Sequence, residues 1–175
     1  MPGIELRAPD PLLEREFMAM VDEFRAAGEH RFVDEDVLMQ HGFAAYLDWL
    51  ARGARGELAG MAPWQALWAV DEGGRLLGVA SLRHPLTPWM TEFGGHVGYR
   101  VRPAERRRGI GTRVLALALA RAAALGVSEA IVVCEPDNAG SIGVLRANGA
   151  VFDREVVADG LRLNRYRVPT GALLG

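Results

Sequence analysis

The stretch Arg106-Arg107-Arg108-Gly109-Ile110-Gly111-Thr112 constrains this chain more than any other. An apolar, strand-like run from His96 to Val101 precedes it, Pro103 ends that run, and an apolar helical pattern from Val114 to Leu125 follows. The segment is therefore a strand-to-helix corner. The first turn of a helix carries N–H groups with no internal partner, and the aligned peptide dipoles add partial positive charge there. Glycine admits close approach of a bound group to the backbone. Three arginines add fixed charge. Such a corner is a seat for a phosphate or pyrophosphate, with Arg106, Arg107, Arg108, Gly109, Ile110, Gly111 and Thr112 as its candidate residues.

The charge pattern agrees. Net charge is only −2, yet residues 100–121 hold seven Arg against one Glu, a net of +6, while residues 1–60 hold twelve Asp/Glu against six Arg, a net of −6. A basic patch thus surrounds the corner. The chain has no lysine, so the 20 basic residues are all Arg, and a P-loop, which needs Gly-Lys-Ser/Thr, is excluded. A dinucleotide fingerprint would need a third glycine where Arg113 and Val114 stand. A nucleic-acid-binding module is another use for a basic patch. A pI near 6.1 and the lack of interleaved aromatics argue against it, so no nucleic-acid partner is expected.

A length of 175 residues, half of them hydrophobic, suits one domain over 1–175 with a real core. Cys134 is the lone cysteine, which excludes an internal disulfide. No basic-then-apolar leader opens the chain, and no uninterrupted apolar run reaches spanning length. The expectation is a cytoplasmic protein with no membrane partner. His30, His41, His84 and His96 show no ligand spacing, so no metal is expected.

Helical spacing of Leu13, Phe17, Met20, Val21 and Phe24 predicts a helix over Pro11–Ala27, stopped by Gly28. A second helix is expected over Asp36–Ala51, completing an N-terminal helical part over 10–60. Ala66–Val70 and Leu76–Leu82 read as strands around the hairpin signal Asp71-Glu72-Gly73-Gly74. His84–Gly95 reads as a loop. After the corner and its helix, Ala130–Cys134 reads as a buried strand and Ala139–Ala147 as a short helix. Val151–Val157 and Leu161–Val168 form a last hairpin, ending a core over 62–168. Strands alternate with helices in the middle and hairpins lie at both ends, which argues a mixed α/β sheet.

Val101-Arg102-Pro103 followed by Arg106-x-x-Gly109-x-Gly111 opening a helix resembles the signature of the GNAT superfamily of N-acetyltransferases. Asn138, reached from the strand Ile131-Val132-Val133-Cys134 through Glu135-Pro136-Asp137 and followed by Ser141, resembles the second signature. The resemblance is strongest over 95–150. It implies a mostly antiparallel central sheet of about six to seven strands flanked by helices, with two central strands splayed apart. It implies acetyl-CoA as cosubstrate, its pyrophosphate on the amides of Arg106–Thr112. Its pantetheine arm would pair with the strand end at Val101, with Asn138 and Ser141 also in the cofactor set. Gly98 fits a bulge that would begin the splay.

The implied activity is acetyl transfer to a primary amine, on a small molecule or a peptide, by direct attack in a ternary complex. A catalytically degenerate CoA-binding sensor is the rival. The family's Tyr acid would fall where Leu145 stands; Ser141 is the candidate replacement, water the other. For the base, His96, Glu92 and His84 are the candidates. Trp64 and Trp89 are candidates to line the acceptor pocket. The acidic first segment, which covers the acceptor side in this family, makes a cationic amine the expected acceptor. The resemblance leaves a homodimer open.

Overall fold

The computed structural model describes residues 3–29 and 35–171. The elements in order are β1 (Ile4–Arg7), α1 (Glu14–Ala26), α2 (Glu35–Ala54), β2 (Trp64–Asp71), β3 (Leu76–Arg83), β4 (Val97–Val101), α3 (Ile110–Ala124), β5 (Glu129–Cys134), α4 (Ala139–Ala147), β6 (Val151–Ala158) and β7 (Leu161–Pro169). Short 3-10 turns over Pro11–Leu13 and Pro103–Glu105 and a π-helical turn over Met90–Gly94 complete them.

Local chemistry explains the start of α1. The Asp10 carboxylate accepts the Leu12 N–H at 2.9 Å, and Pro11 presets the first turn. Phe17, Met20, Val21 and Phe24 then recur on one face and are buried. Burying each of these side chains stabilises the fold by about 1.5–3 kcal/mol. Gly28 leaves the helix at φ 73°. In α2 the pattern is interrupted: Gly42 adopts φ 82°, ψ 174°, and the helix kinks there.

All strand pairings are antiparallel, but they form two sheets. One runs β1-β2-β3-β4 and the other β5-β7-β6. α3 and Leu145 of α4 pack one face into a core with Leu67, Ala69, Leu77, Ala80, Val97, Val132 and Val168. α1 and α2 pack the opposite face around Trp68, which stacks on Phe17 at 4.9 Å. The mixed α/β architecture of seven strands with a central split agrees with the expectation from sequence. β1 was not anticipated, because four residues carry no turn signal that separates them from the flanking loop.

β4 and β5 are the strands that part. They meet where the His96 N–H donates to the Ile131 carbonyl at 2.7 Å, and Gly95 at φ 71° brings the backbones together there. Beyond that contact Val97–Val101 pairs only with β3. The Gly98 bulge expected from sequence is absent. The β3–β4 register runs unbroken through Ser81↔Gly98. The split is set at His96–Ile131 instead.

Candidate functional site

The corner is built as a row of open amides. Gly109 is in the left-handed region at φ 76° and Arg107 at φ 63°, which turns the chain sharply out of the Pro103–Glu105 turn and into α3. Among the described residues, no protein acceptor meets the backbone N–H groups from Arg107 to Thr112; the next amide, Arg113, donates to Gly109 O at 3.2 Å. The Arg106 N–H is closed onto Pro103 O at 3.3 Å. A Cβ on Gly111 would stand 3.0 Å from Val144 Cγ2 and 3.3 Å from Val101 Cγ2. That glycine therefore lets α3 lie against both α4 and β4. The cradle suits a diphosphate, whose oxygens accept from converging amides.

The three arginines do not act alike. Arg106 forks onto Glu29 at 2.5 and 2.8 Å, lies over the Phe24 ring, and gives its Nε to Val101 O at 3.2 Å. This pair holds Glu29 below the usual carboxylate range. Arg108 bonds the buried carboxylate of Glu105, which also takes Arg75 Nε at 2.7 Å. Arg107 is exposed and has no side-chain partner among the described residues. Behind the corner, buried Arg102 bonds Glu23 and Glu16 of α1 at 2.8 Å each and Leu76 O at 3.1 Å. The acidic residues Glu16, Glu23 and Glu29 thus face internal arginines. These three carboxylates are therefore engaged within the fold.

Across the split, the Tyr99 hydroxyl and Ser141 Oγ form a hydrogen bond of 2.9 Å. Asn138 caps α4 by accepting the Ser141 N–H at 2.9 Å, which fixes the serine. Burial raises the Tyr99 pKa to about 12, against a lowering pull from Ser141. The phenol therefore keeps its proton throughout the neutral range. Cys134, nearby and buried, has its thiol pushed up chiefly by burial. Leu145 is wholly buried in the core. Sequence reasoning missed Tyr99 as a site residue. Its one signal was alternation in β4, which puts Val97, Tyr99 and Val101 on a common face.

The other candidates are placed as follows. His96 Nδ1 accepts the Ile131 N–H at 2.9 Å, so one ring nitrogen is engaged in holding β4 to β5. Burial, and secondarily His84, lower its pKa. The His84 ring lies 6.3 Å away and is exposed. Glu92, in the π-helical turn, pairs with Arg154 of β6. Trp64 packs on Trp49 at 4.9 Å beside the second core, whereas Trp89 is exposed and meets Phe93 at 5.7 Å. Asn148 ties the two helices by donating to Thr112 O at 3.2 Å and Val144 O at 2.9 Å. Among the described residues no cluster of His, Cys, Asp and Glu could hold a metal; His30 lies outside them. None of their helices is long and apolar enough to cross a membrane.

This geometry can be set beside known proteins. The family described as Acetyltransferase (GNAT) family matches residues 18–150. Among curated proteins, none matches the sequence. Among solved structures, RimJ of Mycobacterium smegmatis, in complex with CoA-disulfide, superposes at TM-score 0.72 with 17% identity, covering 98% of this chain and 84% of that one. A ribosomal-protein-S5-alanine acetyltransferase from Vibrio fischeri gives TM-score 0.71 and 16% identity, covering 98% and 96%. The yncA protein of Salmonella typhimurium, with its cofactor acetyl-CoA, gives 0.62 and 20%, covering 98% and 96%. At these identities the likeness is one of fold. With a family match over three quarters of its length and a fold split between β4 and β5 beside open amides, the chain belongs to the acetyltransferase (GNAT) family, whose enzymes use acetyl-CoA.

Proposed function

We propose that this protein transfers the acetyl group of acetyl-CoA to a primary amine by direct attack within a ternary complex. The observation that carries the reading is the pairing of two features: the open amides of Arg107–Thr112 lie at one end of the β4–β5 split, and the Tyr99–Ser141 hydroxyl pair lies inside it. In this reading the amides and the exposed Arg107 hold the pyrophosphate. The edge of β4 at Val101 receives the pantetheine arm, and Asn138 and Ser141 position the thioester end.

The amine nitrogen forms a bond to the thioester carbonyl carbon, and collapse of the adduct breaks the C–S bond. The electron pair leaves on sulfur, which takes a proton from the Tyr99–Ser141 pair; that pair recovers it from solvent. The ammonium proton passes to water, with exposed His84 as its candidate carrier, Glu92 being paired with Arg154. His96 has Nδ1 engaged with Ile131, so its part is to hold the split in place. Orientation of two reactants in one cleft supplies several kcal/mol of the barrier reduction, about 7 or more in well-aligned systems.

The test is release of free CoA thiol on mixing protein, acetyl-CoA and a panel of amines. Amine-dependent thiol release with a stoichiometric N-acetyl product supports the reading. Tight acetyl-CoA binding with no turnover of any amine would make the protein a CoA-binding sensor instead.

A further inference from the structure

The face of β4 opposite Tyr99 carries a second polar site. Gly98 is partly exposed. A Cβ there would sit 3.0 Å from Ser81 Oγ and 3.7 and 3.8 Å from the two terminal nitrogens of Arg83. Glycine therefore keeps open a small space bounded by a hydroxyl and a guanidinium fork. Neither group is satisfied by the protein: among the described residues, no carboxylate, carbonyl or hydroxyl bonds the side chain of Ser81 or Arg83. His96 and Arg100 lie on the same face of this stretch by alternation, and no ion pair among the described residues reaches Arg83. Only the backbone of Arg83 is tied down, its N–H donating to His96 O at 2.8 Å. Burial without a counter-ion draws the Arg83 pKa below the ordinary arginine value. Arg83 is partly buried, and a partly buried guanidinium without an anion is a ready donor to one. Arg102, Arg106 and Arg108, by contrast, each have a carboxylate.

We propose that Arg83 and Ser81, beside Gly98, bind a carboxylate of the acceptor, so that the amine acetylated here belongs to an amino acid or another small amine bearing a carboxylate. A planar guanidinium fork with one added hydroxyl donor matches a carboxylate's two oxygens. The site opens on the α1/α2 face while the open amides serve the α3 side, so the two substrates would approach β4 from opposite faces. The inference rests on the acyltransferase reading above. It differs from the cationic acceptor expected from sequence; Glu16 and Glu23 of α1 are engaged by Arg102, and Glu29 by Arg106.

The experiment compares matched amines that differ only in the carboxylate: phenylalanine, phenylalanine amide and phenethylamine, with glycine and glycinamide as a smaller pair. Binding to the CoA-loaded protein is measured by calorimetry and turnover by thiol release, for wild type, Arg83→Gln and Ser81→Ala. Acetyl-CoA binding is measured first on each protein. Its absence in wild type overturns the acyltransferase reading itself. With acetyl-CoA bound, a preference of at least about 100-fold in kcat/KM for the carboxylate-bearing member of a pair is expected, roughly the value of a buried charged hydrogen-bonded contact. Arg83→Gln should raise KM for that member about 30-fold or more and move KM for acetyl-CoA less than twofold. Arg83→Gln should also keep or raise Tm, because it removes a partly buried charge that has no protein partner among the described residues. Equal use of both members of each pair, or failure of every carboxylate-bearing member to bind or react, overturns the proposal. An equal loss for all amines in Arg83→Gln does the same.

Discussion

Tyr99 on β4 and His96, the residue just before that strand, have opposite chemistry. Burial raises the Tyr99 pKa to about 12, and its hydroxyl meets Ser141 across the split, where the proposed mechanism calls for a donor to sulfur. Tyr99→Phe should lower kcat about 100-fold, the usual scale for loss of a positioned proton donor, while KM for acetyl-CoA changes little. A kcat within threefold of wild type would assign the proton to Ser141 or water. His96 is held below its ordinary pKa by burial and then by His84. The unfolded chain therefore takes up a proton first, so stability is intact above the unfolded value of 6.5 and falls as pH drops through the folded one. Protonation of Nδ1 would also break the Ile131 bond. His96→Asn retains an acceptor without titrating. Between pH 7 and 5 it should lose less Tm than wild type; parallel losses in the two proteins would contradict the assignment.

At the scale of elements, α3 is placed by its two glycines and by buried Arg102. Gly109→Ala puts a side chain at φ 76°, a cost of about 1–2 kcal/mol. Gly111→Ala drives a methyl against Val144 and Val101, and overpacking of that kind costs about 1–3 kcal/mol. Urea denaturation should show both losses, and acetyl-CoA affinity should fall more for Gly111→Ala, which moves the cradle relative to α4. Arg102→Ala, which leaves Glu16 and Glu23 facing each other across a buried gap, should destabilise by about 3 kcal/mol. These elements were the legible part of the sequence. Helical spacing marked α1 and α3, and Gly-Gly or Asn-Gly marked the turns. Gly42 and Gly98 were not legible in detail. A glycine that kinks a helix, opens a bulge or leaves room for a neighbour looks the same in a string of letters; contacts decide among them.

Over the whole molecule, the readable features were those carried by consecutive residues, and the unreadable ones join distant segments. The corner, its glycines and Asn138 are local. The Glu29–Arg106 pair spans 77 positions and the Tyr99–Ser141 bond 42, so the sequence could show the charges of the N-terminal part and of the corner without showing which of them pair. The basic patch is accordingly smaller than composition implies, with Arg107 an exposed, unpaired cation beside the open amides among the described residues. The most direct measurement is isothermal titration of the purified protein with acetyl-CoA at low and moderate salt. The account gives saturable binding at one site per chain, weakening as salt screens Arg107 yet persisting through the backbone amides. No heat at either salt concentration, or binding unaffected in Gly111→Ala, would contradict a diphosphate cradle at the β4–α3 corner.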